Sequence, residues 1–256
     1  MRYEMVGLQE LIAYLDELLE PQKFNDYCPN GLQIAGKPMI KNLVVGVSAS
    51  QSLIDEAIKL QADAILVHHG YFWRGEDPRI IGIKQQRIRK LLQHEISLIA
   101  YHLPLDAHPI YGNNVQLAKI LDIDIEQCYE IERVPGLLWV GNLSQATSGT
   151  ALARKIADSL KREPLHLTGS DKPINKIAWC TGAAQDFIEQ ALNHGVEAYI
   201  TGEVSERTFH FVRESGIHFY AAGHHATERY GVQALGEHLA HYLGIHQHYV
   251  EIDNPV

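Results

Sequence analysis

The chain has 256 residues, of which 46% are hydrophobic and 21% charged, with a formal net charge of −9. That length suits one large or two modest domains with a substantial core. The acidic balance counts against a broad electrostatic grip on nucleic acid or on an anionic membrane surface. Three scattered cysteines, Cys28, Cys128 and Cys180, lack any C-x-x-C spacing. They argue for a reducing compartment and against a disulfide frame or a thiolate metal site. The opening Met1-Arg2-Tyr3-Glu4 leads into an amphipathic stretch rather than a signal peptide. No apolar run reaches membrane-spanning length, so a cytoplasmic location is the expectation.

In chain order, Leu8, Leu11, Ile12, Leu15, Leu18 and Leu19 form a helical stripe over residues 7–19, which Pro21 ends. Asp26-Tyr27-Cys28-Pro29-Asn30-Gly31 has turn chemistry before a short strand. Strands are predicted at 43–47, 64–67 and 96–100, with helices over 50–60 and 85–94 between them. Alternation at these spacings implies a parallel sheet with crossover helices, and such sheets gather ligands beyond the carboxyl ends of their strands. His68-His69-Gly70 and the loop from His102 to Asp106 both fall at that end. Successive strand residues point to opposite faces, so the spacing predicts the two histidines just past the strand end, where Gly70 lets the chain turn. A metal-ligating pair and a capping histidine beside a solvent-facing one are both open readings of that stretch alone. Further on come a helix at 113–121, a polar link, a strand at 137–143 and a helix at 150–160.

The early pattern then returns with an offset near 134 residues. Ile177 to Gly182 matches Val44 to Ser48, and Gln185 to Ala191 echoes Gln51 to Ala57. Thr201-Gly202-Glu203 stands where Val67-His68-His69 stood, and Ile217 to Ala221 mirrors 96–100. The expectation is an α/β protein of two related lobes with mainly parallel sheets and flanking helices, born of an internal duplication. The lobes are placed at 1–125 and 126–256, and the C-terminal helix can pack back on the first.

After the last strand come Gly223-His224-His225-Ala226-Thr227-Glu228. His224 and Glu228 are four apart, so on a helix they share a face and can grip one ion. With His68, His69 and the His102/Asp106 loop they form a histidine-rich set with carboxylates and no thiolate, suited to Zn, Mn, Fe or Ni. Five or more donors exceed the need of one tetrahedral ion, which favours two divalent ions. His102 reads either as a third imidazole ligand or as a group that orients one. Glu203 reads as a site neighbour or a buried hydrogen-bonding group. Tyr71, Phe72 and Trp73 read as core or contact residues, and His241, His246 and His248 as a solvated tail. Arg79, Lys84, Arg87 and Lys90 read as a solvated helix face, with phosphate contact the sharper alternative.

His68-His69-Gly70, Leu103-Pro104-Leu105-Asp106 and Gly223-His224-His225-Ala226-Thr227-Glu228 resemble the three motifs of the Nif-three-like dinuclear-metal family. Its members are often labelled GTP cyclohydrolase 1 type 2 homologues. The likeness runs from Asp26 to the C-terminus. The resemblance implies His68, His69, Asp106, His224 and Glu228 as metal ligands, with Glu228 bridging, and a toroidal homohexamer with the metal pairs facing its interior. The functional expectation is a metal-dependent hydrolase of a nucleotide or other small heterocycle, with proton transfer by Glu228 or His102. The alternative is a non-catalytic metal-binding ring that stores, delivers or senses metal or organises a partner. Nucleic acid and membrane are not expected partners.

Overall fold

A computed structural model describes residues 4–256; Met1-Arg2-Tyr3, part of the opening stretch discussed above, lie outside the described residues. In chain order the elements are β1 (Val6–Gly7), α1 (Leu8–Leu19), β2 (Gly31–Ile34), β3 (Met39–Ile40), β4 (Asn42–Ser48), α2 (Gln51–Lys59), β5 (Ala64–His69), α3 (Gly82–Gln93), β6 (Ser97–Ala100) and α4 (Leu103–Ala107). They continue as α5 (Asn113–Ile120), β7 (Ile123–Ile131), β8 (Val134–Thr147), α6 (Gly149–Leu160), β9 (Leu165–Leu167), β10 (Ile174–Trp179), α7 (Ile188–Leu192), β11 (Ala198–Thr201), α8 (Glu206–Ser215), β12 (His218–Ala221), α9 (His224–Leu243) and β13 (His246–Tyr249). Two compact units result. One comprises the chain up to Leu105 with Gly231–Asp253, the other Asp106–Tyr230 with Asn254–Val256.

The first unit is built on a five-stranded sheet of order β13-β4-β5-β6-β2. All its pairs are parallel except β2 against β6. β4 and β5 read as near-continuous apolar runs because both faces are covered. Leu53, Ile54 and Ala57 of α2 and Ile88 and Leu91 of α3 bury against Val44, Ile65, Val67 and Leu98. Ser50 caps α2 by accepting the Leu53 N–H at 3.2 Å.

The second unit has a six-stranded sheet of order β7-β8-β10-β11-β12-β9. Only β10–β11 and β11–β12 pair in parallel; the other pairs are antiparallel. This corrects the expectation of mainly parallel sheets for this lobe. The polar link expected after α5 is in fact β7, a strand whose residues between Ile123 and Ile131 are exposed or half-buried. It turns into β8 through Glu132 and Arg133, both at positive φ (51° and 68°) as a tight hairpin turn requires. An edge strand wetted on both faces has little apolar signature, which is why this stretch reads as a link. Its core gathers Leu152, Ile156 and Leu160 of α6 on Trp139, Trp179, Ile200 and Tyr220.

Of the histidines expected in a solvated tail, His241 is exposed near the end of α9, but the other two are placed differently. His246 and His248 lie on β13, paired in parallel with β4, and His246 Nδ1 and His248 Nε2 stand 2.7 Å apart.

Candidate metal centre

In the first unit, β5 runs two residues further than expected and carries His68 and His69 as its last two residues rather than just past its end. Their rings nevertheless converge, with centroids 4.5 Å apart and planes tilted by 46°. At a strand terminus the imidazoles can lean over the end instead of standing on opposite faces. Gly70 is needed there, because a Cβ on it would fall 2.7 Å from that of Ala100. His68 is fully buried and its Nδ1 lies 3.0 Å from the Tyr101 carbonyl oxygen, to which it donates. His69 Nδ1 lies 3.0 Å from the Ser48 hydroxyl, one strand over. Both anchors engage Nδ1, the usual way a protein orients an imidazole whose Nε2 could hold an ion.

His102 completes this half. One ligand atom from each of His68, His69 and His102 lies within 4.8 Å of the others. Its Nδ1 donates to Asp26 Oδ1 at 2.7 Å, and its backbone N–H donates to Asn30 Oδ1 at 2.7 Å. Asp26 Oδ2 accepts from Asn30 Nδ2 and from the Leu103 N–H, both at 2.9 Å. Burial pushes the Asp26 carboxyl up, but the His102 hydrogen bond and charge, with help from Asn30 and the Tyr27 N–H, outweigh it and hold it below the usual range. Trp73 packs edge-on against His102 at 5.0 Å, whereas Tyr71 is buried and donates to the Ala49 carbonyl. Of the three aromatics, Trp73 therefore walls the histidine cluster. Burial, aided by the Asp26 charge, raises the Cys28 thiol to about 12, so it stays neutral.

In the second unit, Asp106 is 6% and Glu228 3% exposed. A carboxylate oxygen of each lies within 4.8 Å of the other. Asn113 Nδ2 and the Thr181 hydroxyl donate to Asp106 Oδ1, at 2.9 and 3.2 Å. His224 and Glu228 stand on the first turns of α9, with His224 Nε2 3.0 Å from Glu228 Oε2. His224 Nδ1 lies 2.6 Å from Glu203 Oε1, so Glu203 anchors His224 as Ser48 anchors His69. Burial works to lower the His224 pKa, but the hydrogen bonds and charges of Glu228 and Glu203 prevail and raise it to about 9. Cys180 is buried beside this group. Desolvation and the charges of Asp106 and Glu228 push its thiol well up.

The donor chemistry fits divalent metal. Three imidazoles with fixed Nδ1 partners are a ready-made ligand set, and two buried carboxylates this close repel unless a cation lies between them. His68, His69 and His102 are brought together in one unit, and Asp106, His224 and Glu228 in the other. Sequence reading missed Asp26 and Ser48. Asp26 is 76 residues from His102 and looked like turn chemistry alone, and no local pattern announces such a pairing. The basic stretch does not gather on a site. Arg79 pairs with Asp77, Lys84 with Glu76, and Lys90 with Asp55.

The family model of Duf34/NIF3 (NGG1p interacting factor 3) matches residues 6–255. The chain belongs to the Duf34/NIF3 family. It is 51% identical, over the whole of both chains, to a protein of Allochromatium vinosum named GTP cyclohydrolase 1 type 2 homolog. It is 50% identical to one of the same name in Pseudomonas aeruginosa, covering 98% of this chain and 99% of that one. A solved structure of the protein ybgI, described as of unknown function, superposes with a TM-score of 0.94 at 46% identity, covering 98% of this chain and all of that one. Members of the fold are thus mixed α/β proteins, as here. Among the described residues no helix is long and apolar enough to cross a membrane.

Proposed function

We propose that this Duf34/NIF3 protein holds two divalent ions through His68, His69, Asp106, His224 and Glu228, with Glu228 bridging, and hydrolyses a nucleotide or other small heterocycle. The observation that carries the reading is the orientation of the imidazoles. His68, His69 and His224 each spend Nδ1 on a protein partner, an arrangement that serves coordination by Nε2. The family name borne by the relatives supports the heterocyclic substrate class. Zn, Mn, Fe and Ni all suit such ligands, and availability decides among them.

When bound, such ions acidify a water and polarise the electrophile it attacks. The chain's own part is positional. Asp26 holds His102 with Nδ1 protonated, which leaves Nε2 as the acceptor for a proton released during hydrolysis. Trp73 offers a flat face to an aromatic base. A cavity of about 490 Å³ in the second unit, lined by Arg162, Glu163, Gly202 and Glu203, offers room for a small molecule. Ile80, Ile81 and Ile83, exposed by 52%, 57% and 68%, support a subunit contact, in keeping with the toroidal homohexamer that the family resemblance implies.

The test is metal content per chain, on protein purified without chelator, beside His68→Ala, followed by a nucleotide hydrolysis screen. Two ions in the native protein, fewer in the variant, and metal-dependent turnover support the reading. Two ions without turnover on any nucleotide or heterocycle favour the alternative of a non-catalytic metal-binding ring. No metal after reconstitution removes both.

A further inference from the structure

The turn before β2 carries two donors, Asp26 and Cys28, that the proposed pair of ions does not use. The antiparallel pairing of β2 with β6 sets Gly31 opposite Ala100, which brings this turn against the residues that follow β6. There Asp26, Cys28 and His102 each offer one ligand atom, and the three atoms lie within 4.8 Å of one another. All three residues belong to the first unit. Cys28 is 8% exposed, and the side chains of Asp26 and His102 are 3% and 14% exposed. The scattered cysteines of the sequence argued against a thiolate ligand; only the fold places one beside an imidazole and a carboxylate.

Two observations point to a cation there. First, the Asp26 carboxylate is buried, yet among the described residues no lysine or arginine pairs with it. Arg74 donates to the Asp26 carbonyl oxygen instead, at 2.8 Å. A buried anion held by one imidazole and by amides is short of positive charge. Second, the Cys28 thiol is buried and makes no hydrogen bond among the described residues. Burial, aided by the Asp26 charge, keeps it neutral in the metal-free chain. A cation seated between thiol and carboxylate reverses both causes, because a coordinating thiol gives up its proton. The place is also separate from the paired ligands. His102 turns Nδ1 to Asp26 at 2.7 Å, while its ring lies 5.0 Å from that of His68 and 5.8 Å from that of His69. The imidazole thus stands between the two clusters, and Nδ1 belongs to the side of Asp26 and Cys28.

One sulfur, one nitrogen and one oxygen donor suit a borderline or soft ion, whereas Mg and Ca prefer oxygen alone. A tetrahedral Zn ion with bonds of about 2.0–2.3 Å needs its donors roughly 3.3–3.8 Å apart, and water fills the fourth position. We infer that Asp26 Oδ1, Cys28 Sγ and His102 Nδ1 bind a third divalent ion of the Zn class, apart from the two proposed above. On binding, the ion replaces two protons, one from Cys28 Sγ and one from His102 Nδ1, and both leave to solvent. The carboxylate is already ionised. Its Oδ2 stays with Asn30 Nδ2 and the Leu103 N–H, which hold Oδ1 in place for the ion. The site requires nothing of the hydrolysis reading.

The experiment titrates the full-length, Mn-loaded protein with Cd²⁺ and follows the ultraviolet charge-transfer band of a Cd–thiolate bond. The variants are Cys28→Ser, Asp26→Asn, Cys180→Ser and the metal-ligand variant His224→Ala. Cys28→Ser is nearly isosteric and keeps the fold, which circular dichroism checks. A saturable band that is lost in Cys28→Ser and kept in both Cys180→Ser and His224→Ala supports the site. Binding about tenfold or more weaker in Asp26→Asn supports the carboxylate as the third donor. Bleaching of the band by added Zn²⁺ supports Zn as an ion the site accepts. No band in the native protein overturns the inference. A band that survives Cys28→Ser, or disappears in Cys180→Ser or His224→Ala, overturns it as well, because the ion then sits with the paired ligands.

Discussion

The two units share a motif and load it differently. In each, three consecutive parallel strands, β4-β5-β6 and β10-β11-β12, carry an antiparallel neighbour on the last, β2 in one and β9 in the other. The middle strand of the first ends in His68-His69, that of the second is followed by Gly202-Glu203. A side chain is sterically barred at 202, since a Cβ there would fall 2.6 Å from the Gly182 carbonyl oxygen and 2.6 Å from His224 Cα. The start of α9 fills the space and brings His224 and Glu228 instead. The first unit therefore supplies imidazoles and the second mostly carboxylates. The two units share a strand pattern; the helix after the last strand decides which donors the second offers.

The sharpest way to break this comparison is at Gly182, which has φ +69° and whose added Cβ would collide with Glu228 Oε1. Gly182→Ala is expected to cost roughly 2–4 kcal/mol in urea unfolding, from backbone strain plus the displaced carboxylate. It should also strip metal, since the second unit's donors move. Native stability in that variant would mean the close approach is relaxed in solution.

Next in size, Glu228→Gln keeps volume and fold but should lower the occupancy of both ions by metal analysis. Full occupancy would remove the bridging role. For the first unit, Asp26→Asn should retain metal yet lower hydrolysis by about 10–100-fold, because the amide no longer steers the His102 proton. Its pH–rate profile should change shape, an effect that a purely structural Asp26 would not produce.

A smaller effect separates the two anchors. His224, raised to about 9, must lose its Nε2 proton to take a metal. Apparent metal affinity should therefore climb about tenfold per pH unit below about 9 and level off above it. In the metal-free chain the sign is opposite for stability. The raised pKa contributes fully below the unfolded value of about 6.5 and is lost as pH rises through about 9, so the melting temperature should fall across that window. A flat profile would show that His224 and Glu228 do not share a proton. The smallest effect belongs to the exposed Arg79–Asp77 pair, where Arg79→Ala should leave both the urea midpoint and the metal content unchanged.

Much of this was legible from order and pattern alone. Apolar periodicity located α1, α2, α3, α5 and α6 to within a few residues, because each buries one stripe on a sheet. The repeat at about 134 residues revealed the paired strand motifs, and the histidine motifs pointed to the residues now found clustered within each unit. What only the tertiary structure decided is the set of partners. Asp26 on His102, Ser48 on His69, Glu203 on His224 and Thr181 on Asp106 are links of 76, 21, 21 and 75 residues. Hydrogen bonds of that span depend on which strands become neighbours, and side-chain type alone carries no record of it. The same holds for the hairpin of β7 and β8, whose polar alternation looks like a link until a neighbouring strand supplies its ladder.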